Sequence, residues 1–343
     1  MLNKEEKLFI TGASGYLGYA LAKKASGLFP TKVLVRKKDA VKFNDNVTVI
    51  EGDVLNIESF IDSIADSTIL IHAAALVKTW VKDKSLFYKT NVDAVEKLFT
   101  ASYKIGIKKI LHISSFIAIG PSDNLEYCTE MNLHDPSKFN NDYERSKYMG
   151  DQKAAELIEH GLPIVRIYPG VIYGPGKITS GNLVANIILD YLNKRIVPIV
   201  CPNSMWSYAY IDDVVDGIIA AIEKGKIGER YILGGENRKL GDLYAKISAL
   251  APKKRITLKI PAWLGYTMGL LYWVKAELIN KEPFITHQVI NIFKHNWAYS
   301  SRKAINELNY SITPFEIGIE KTFKWLMEII NKSGDSNGNR EEI

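Results

Sequence analysis

The stretch TGASGYLG, residues 11–18, constrains the fold more than any other part of this chain. It joins a short apolar run, KLFIT (7–11), to a segment of helical pattern at 15–27. Gly12, Gly15 and Gly18 fall three apart across that junction. Glycines placed so let the backbone turn sharply out of a strand, approach a ligand closely and pack the helix on the sheet. The helix N-terminus then offers free N–H groups and a positive dipole end to phosphate. The pattern points to a dinucleotide-binding turn, with Gly12, Ser14, Gly15, Tyr16, Leu17 and Gly18 as candidate contacts. It is not a P-loop, because no Gly-Lys-Ser/Thr follows.

The rest of the first half repeats the strand–helix theme. KVLVR (32–36), VTVIE (47–51), TILIHA (68–73), KILHIS (109–114) and LPIVRIY (162–168) read as buried strands. Helical segments are predicted at about 56–65, 84–105 and 142–160. Such alternation predicts an α/β fold, a Rossmann-type doubly wound parallel sheet covered on both faces. After residue 175 the pattern loosens and aromatics become dense, Trp206, Tyr208, Trp263, Trp273 and Trp297 among them. The expected division is a dinucleotide-binding domain over 1–175 and a smaller C-terminal substrate lobe over 176–330, some of whose segments return to the sheet. A Gly/Asn/Ser-rich tail over 331–343 is expected to fray.

Bulk properties narrow the classes. The 343 residues are 47% hydrophobic and 24% charged, an ordinary globular balance. The net charge of +6 is spread along the chain, without the Lys/Arg block of a nucleic-acid arm. Cys128 and Cys201 make no CxxC pair and the six histidines no HExxH motif, so reduced thiols and no metal centre are expected. The charged start MLNKEEK does not read as a signal peptide, and a cytoplasmic protein is expected. The most apolar segment, IPAWLGYTMGLLYWV (260–274), is shorter than the roughly 20 residues a bilayer span needs. A core or lid helix is the first reading of it, and a helix lying in a membrane interface is the alternative.

Two features bear on chemistry. The second strand ends in Arg36, Lys37 and Lys38, where an acid would favour the ribose 2′-hydroxyl of NAD. A guanidinium there can grip a 2′-phosphate, so Arg36 predicts NADP, with NAD as the alternative. Tyr143 and Lys147, in NDYERSKYMGDQKAAE (141–156), sit one helical turn apart and share a face. The spacing by itself fits a surface pair as well as a proton donor beside a cation.

Taken together, the motifs resemble the extended short-chain dehydrogenase/reductase family over about residues 7–330. TGASGYLG, EGDV (51–54), HAAA (72–75), TNVDAVEKL (90–98), HISS (112–115), YERSK (143–147) and YPGVIYGPG (168–176) carry the likeness. YIDDVVDGI (210–218) and WAYSSRKAINEL (297–308) look like its dihydroflavonol reductase and 3β-hydroxysteroid dehydrogenase branch. The resemblance implies that Tyr143 is the proton donor or acceptor and that Lys147 lowers its pKa and reaches the cofactor. It implies that Ser115, rather than Ser114, polarises the substrate oxygen, and that Asn91 supports the lysine. Asp53 and Val54 would flank the adenine, His72, Ala73 and Ala74 would run along the cofactor, and Pro169 and Val171 would cup the nicotinamide.

The implied activity is NADP(H)-dependent interconversion of a carbonyl and an alcohol on a bulky, mostly apolar small molecule. Helices 84–105 and 142–160 would form a homodimer interface. A nucleotide-sugar epimerase or dehydratase with retained NAD is the first alternative. Dehydratases carry a further acid/base pair near the serine, whereas Phe116 and Ile117 follow Ser115 here. A cofactor-sensing protein without catalysis is the second, and the intact Ser/Tyr/Lys set argues against it.

Overall fold

A computed structural model describes residues 6–123 and 125–335. Twelve strands are present among them: β1 (Leu8–Thr11), β2 (Thr31–Val35), β3 (Val47–Glu51), β4 (Ile69–His72), β5 (Lys109–Ile113), β6 (Ile164–Pro169), β7 (Val171–Tyr173), β8 (Ile196–Val200), β9 (Met205–Tyr210), β10 (Arg230–Leu233), β11 (Glu236–Lys239) and β12 (Ile256–Ile260). Seven of them form one sheet in the order β3-β2-β1-β4-β5-β6-β10. Every neighbouring pair is parallel. This is the doubly wound Rossmann arrangement, and the order reverses between β1 and β4, where ligands bind such sheets. The strands are short and continuously apolar because both faces are covered.

One face packs Leu8, Ile10 and Val33 against the Tyr16–Ala25 and Ile211–Lys224 helices. The other packs Phe9, Leu70 and Ile110 against the Ala94–Lys104 and Asp142–Glu159 helices. Thus the Ile211–Lys224 helix and β10, both beyond residue 175, complete the main sheet. A third core holds Tyr173, Tyr191, Trp206, Trp297 and Phe315 in the C-terminal lobe. There β7, β9 and β11 form a three-stranded sheet, and β8 pairs with β12.

Three expectations need correction. The helix predicted at 56–65 is two 3₁₀ turns, Ile57–Ser59 and Ile61–Ile64. Phe60 between them takes φ −142°, outside the helical range, and its ring stacks on Phe9 with centroids 6.1 Å apart. The predicted 84–105 helix contains a π turn, Lys89–Asp93, which sits on Asn91. The final helix, Phe315–Asp335, covers the first five residues of the expected tail. Residues 336–343 lie outside the described residues.

The Asp142–Glu159 helix lies unusually close to that π turn. A Cβ added at Gly150 would stand 2.0 Å from the Asn91 carbonyl oxygen. In an exposed helix Gly→Ala is stabilising by about 1 kcal/mol. Here the collision with backbone reverses the sign. Gly150→Ala is expected to lower stability by about 1–3 kcal/mol in urea unfolding, the scale of overpacking. A variant as stable as the wild type would show that the two segments can separate freely.

Candidate active site

The sequence-predicted residues gather at the C-terminal ends of β1 to β6. At the end of β1, Gly12 takes φ +75°, and a Cβ there would lie 2.6 Å from the Ala73 and Ala74 backbone. Gly18 meets the Gly12 oxygen at 2.2 Å in the same test. Both glycines are therefore required by close backbone approach. Gly15, the N-cap, would meet only the Gly12 oxygen, at 3.2 Å, so its outer side is open. A shallow, open cradle at the N-terminus of a ten-residue helix fits a pyrophosphate.

The neighbouring candidate residues take different positions. Ala73 N–H donates to Thr11 O (3.3 Å) and Ala74 N–H to Thr11 Oγ1 (3.3 Å), which lays this backbone beside the loop. The His72 ring points elsewhere. It is buried, with Nδ1 2.9 Å from Thr11 Oγ1, and stands edge-on to Phe99. Tyr16 is also buried, and its hydroxyl donates to Gly174 O (2.8 Å), so its side chain ties the loop to the segment after β7. Leu17 packs partly buried on the same core. Lys177, which sequence reasoning missed, donates to Ser14 O (3.0 Å) and lies over the Tyr19 ring. Arg36 is exposed just past β2. Asp53 turns its Oδ1 to the Leu55 N–H (2.9 Å), and Val54 is buried beside it.

The Asp142–Glu159 helix carries the chemistry-bearing pair. Asn141 caps it, accepting from the Glu144 N–H (2.8 Å), while Glu144 Oε2 accepts from the Asn140 N–H (2.8 Å). Glu144 Oε1 lies 2.7 Å from His134 Nε2, and both side chains are almost fully buried. This pin on the residue beside Tyr143 was missed, although the Asn-x-x-Glu spacing is a readable capping signal. Ser115 stands close to the Tyr143 phenol. Burial pushes that phenol up to about 12, and Ser115 only partly opposes the shift. The lowering expected from Lys147 is not among the causes of this shift: the phenol is desolvated and the ammonium turns to the Ile113 carbonyl. Lys147 is buried and donates to Ile113 O (3.2 Å) at the end of β5. Burial lowers its pKa to about 8, against the opposing pull of Asp151 one turn along. A protonated phenol beside a serine hydroxyl can deliver a proton to an oxygen lying between them.

Asn91 is fully engaged. Its Oδ1 accepts from Leu76 N–H (2.8 Å), and its Nδ2 donates to Leu76 O (3.3 Å) and Ser146 Oγ (2.9 Å). Ser146 in turn donates to Tyr143 O (2.9 Å). Asn91 so reaches the tyrosine's backbone through Ser146, with the segment after β4 held on its other side. Ser114 is buried and its hydroxyl finds no partner among the described residues. Pro169 ends β6 and Val171 opens β7, buried close by. Behind the helix, Asp151 accepts from Tyr168 (2.9 Å), whose oxygen accepts from Arg230 (3.0 Å). The four-residue step from Lys147 to Asp151 was the available signal for that relay.

Two buried imidazoles, His72 and His112, stack 6.0 Å apart beneath the site. Burial, followed by the Lys147 charge, lowers His72 to about 3 and His112 well below its usual value of 6.5. The unfolded chain then binds more protons than the folded one below that value. The stability these neutral rings allow is present above pH 6.5 and lost as pH falls towards 3. A loss on the order of 2 kcal/mol per ring, about 4 kcal/mol for the two, is expected between pH 7 and pH 5. His112→Leu should roughly halve that slope in urea unfolding at the two pH values, and an unchanged slope would contradict the assignment.

Comparison with known proteins identifies the family. Residues 8–234 match the model of the NAD dependent epimerase/dehydratase family. A Synechocystis protein provisionally named dihydroflavonol 4-reductase is 25% identical over 327 residues, covering 92% of this chain and 93% of that one. Sterol demethylase protein B of Methylococcus capsulatus is 28% identical over 269 residues, covering 76% and 80%. A solved UDP-glucuronic acid 4-epimerase of Bacillus cereus, holding NAD and a UDP-sugar analogue, superposes with a TM-score of 0.76 at 20% identity, covering 94% and 99%, and shares the fold. With the glycine cradle, the reversed strand order and the family match in place, this chain belongs to the NAD-dependent epimerase/dehydratase family of extended short-chain dehydrogenases/reductases and is an NAD(P)-dependent enzyme.

Proposed function

We propose that this enzyme interconverts a carbonyl and an alcohol on a bulky, mostly apolar small molecule, with NADP(H) as cofactor. The bound cofactor supplies or accepts the hydride. Gly12, Gly15 and Gly18 would admit its pyrophosphate, Arg36 would meet the 2′-phosphate, and Asp53 would face the adenine. Ser115 would donate to the substrate oxygen, and Tyr143 would give it a proton as the alcohol forms. A phenol held near 12 keeps its proton at neutral pH, which suits the reducing direction. Lys147 supplies positive charge from beneath, and Asn91 and Ser146 hold the tyrosine's turn in place. The reading also carries a homodimer through the Ala94–Lys104 and Asp142–Glu159 helices, as the family resemblance implies.

The observation that carries the substrate class is what surrounds Ser115. Phe116, the next residue, packs against Trp297 and Tyr299 at 5.6 Å and Trp206 at 6.4 Å. Those three rings are themselves buried, so they back the half-buried Phe116 with apolar surface, which suits an apolar ring or chain beside Ser115. A nucleotide-sugar site needs cations for its diphosphate. The aromatic segment SMWSYAYIDDVV (204–215) has no Arg or Lys, and Arg230 and Arg238 are the first arginines that follow it. Arg230 is committed to Tyr168 and the Asn132 carbonyl, and Arg238 to Glu236. The UDP-sugar epimerase fold keeps the alternative as the second reading.

A panel of aromatic, steroid-like and long-chain ketones beside UDP- and GDP-sugars tests the proposal, followed at the NADPH absorbance. Turnover of an apolar ketone is expected, faster with NADPH than NADH. Tyr143→Phe should cut it at least about a hundredfold, the scale of a general acid contribution. Arg36→Asp should erase the NADPH preference. Turnover confined to the nucleotide sugars, or Tyr143→Phe at near wild-type rate, would overturn the reading.

A further inference from the structure

The Ala262–Ile279 helix carries no charge up to Val274 and is apolar on every side there, yet only Gly265, Gly269 and Ala276 of the helix are buried. A helix of that composition belongs in a core or against lipid. Its inner contacts are made by small residues. A Cβ at Gly269 would meet the Thr286 and His287 backbone at 2.6–2.9 Å, and one at Gly265 the Val200 side chain at 3.1 Å. The large side chains are left outside. Trp263 is 68% exposed, Leu271 71%, Leu278 77% and Phe284, just beyond the helix, 66%. Neighbouring β12 adds exposed Ile256 and Leu258.

Charge around this patch has one sign outward. Both acidic residues of the segment are occupied on the side facing the dinucleotide-binding domain. Glu277 accepts from Trp80 Nε1 (3.0 Å), and Glu282 pairs with Lys78 (2.6 Å). Lys253, Lys254, Lys259, Lys275 and Lys281 are exposed and form no salt bridge among the described residues. Lys275 stands on one stripe with Met268, Leu271 and Leu278, at steps of three and four residues, so a cation sits within the apolar face itself. Its methylene stem can lie on apolar neighbours while the ammonium reaches phosphate level. A second copy of the chain is a poorer occupant. A two-fold contact would repeat the same lysines across the axis inside an apolar interface. No described helix is long and apolar enough to cross a membrane.

From these observations we propose that the Ala262–Ile279 helix docks the enzyme on the interface of an anionic lipid bilayer, its Trp, Leu and Phe side chains among the acyl chains and its lysines on the headgroups. The helix is tied through Trp80 and Lys78 to the segment that follows β4, so docking would set the lipid surface beside the cofactor side of the enzyme. The inference rests on the patch alone and not on the substrate reading.

Flotation of the full chain with phosphatidylcholine vesicles, with and without phosphatidylglycerol, tests it in the absence of substrate. Binding to the anionic vesicles, weakened by added salt and weak on neutral ones, is the expected result. The doubly substituted variant Leu271→Ser, Leu278→Ser alters exposed side chains outside the proposed catalytic set. It should lose at least about tenfold in vesicle partitioning, the scale of two exposed leucines, with turnover of a soluble substrate unchanged. Absence of vesicle binding, equal binding to neutral vesicles, or a wild-type dimer that the double variant dissolves would overturn the proposal. None of these outcomes bears on which ketone or sugar turns over, so the two readings fail separately.

Discussion

The buried ammonium of Lys147 is the constraint around which the site is built. A cation taken out of water needs partners, or it gives up its proton. Lys147 receives the Ile113 carbonyl at the end of β5 and the field of Asp151 on its own helix. That arrangement presses the Asp142–Glu159 helix onto the sheet end. The helix's close approach to the π turn at Asn91 then requires Gly150, and the Asn91–Ser146 bond locks the turn that carries Tyr143. Further back, Tyr168 and Arg230 complete the support of Asp151. Tyr143 is thus held by its neighbours on both sides before any ligand arrives.

The same desolvation that makes Lys147 costly tunes what the pair can do. The phenol is pushed up and the ammonium pulled down, so both shifts favour the neutral forms. A proton on Tyr143 at neutral pH is what reduction of a carbonyl requires. At the glycine cradle the constraint is steric instead. Gly12 and Gly18 leave no room for side chains between β1, β4 and the Tyr16–Ala25 helix. The cradle lies at the strand-order reversal and the helix carrying Tyr143 and Lys147 packs at the end of β5, so one sheet aligns both.

Much of this was legible in the sequence. The glycine spacing, six alternating strands and the Tyr143/Lys147 step each report a local period or turn requirement, which the chain states directly. The 56–65 segment misled because Phe60 obeys its contact with Phe9 rather than helical periodicity. The π turn at Lys89–Asp93 leaves no mark in a 3.6-residue pattern, since it is imposed by the helix that packs on it. His134, Lys177 and Tyr168 went unnoticed because their partners, Glu144, Ser14 and Asp151, are distant in sequence. His72 belonged to a recognised motif, but only its backbone neighbours line the cradle. The direction of the Tyr143 shift depended on burial depth, which spacing does not report.

The aromatic cluster behind Phe116 and the engaged arginines are what the proposed reductase reading rests on, against the epimerase alternative. A reductase passes hydride to its substrate and releases the cofactor oxidised. An epimerase regenerates its cofactor in every cycle and leaves it bound. The most direct measurement charges the enzyme with NADPH deuterated at the transferring position and supplies the ketone that turns over. The account expects one deuterium on the carbinol carbon of the product and free NADP in solution. A product isomeric with its substrate and free of label, with the cofactor still bound to the protein, would contradict it.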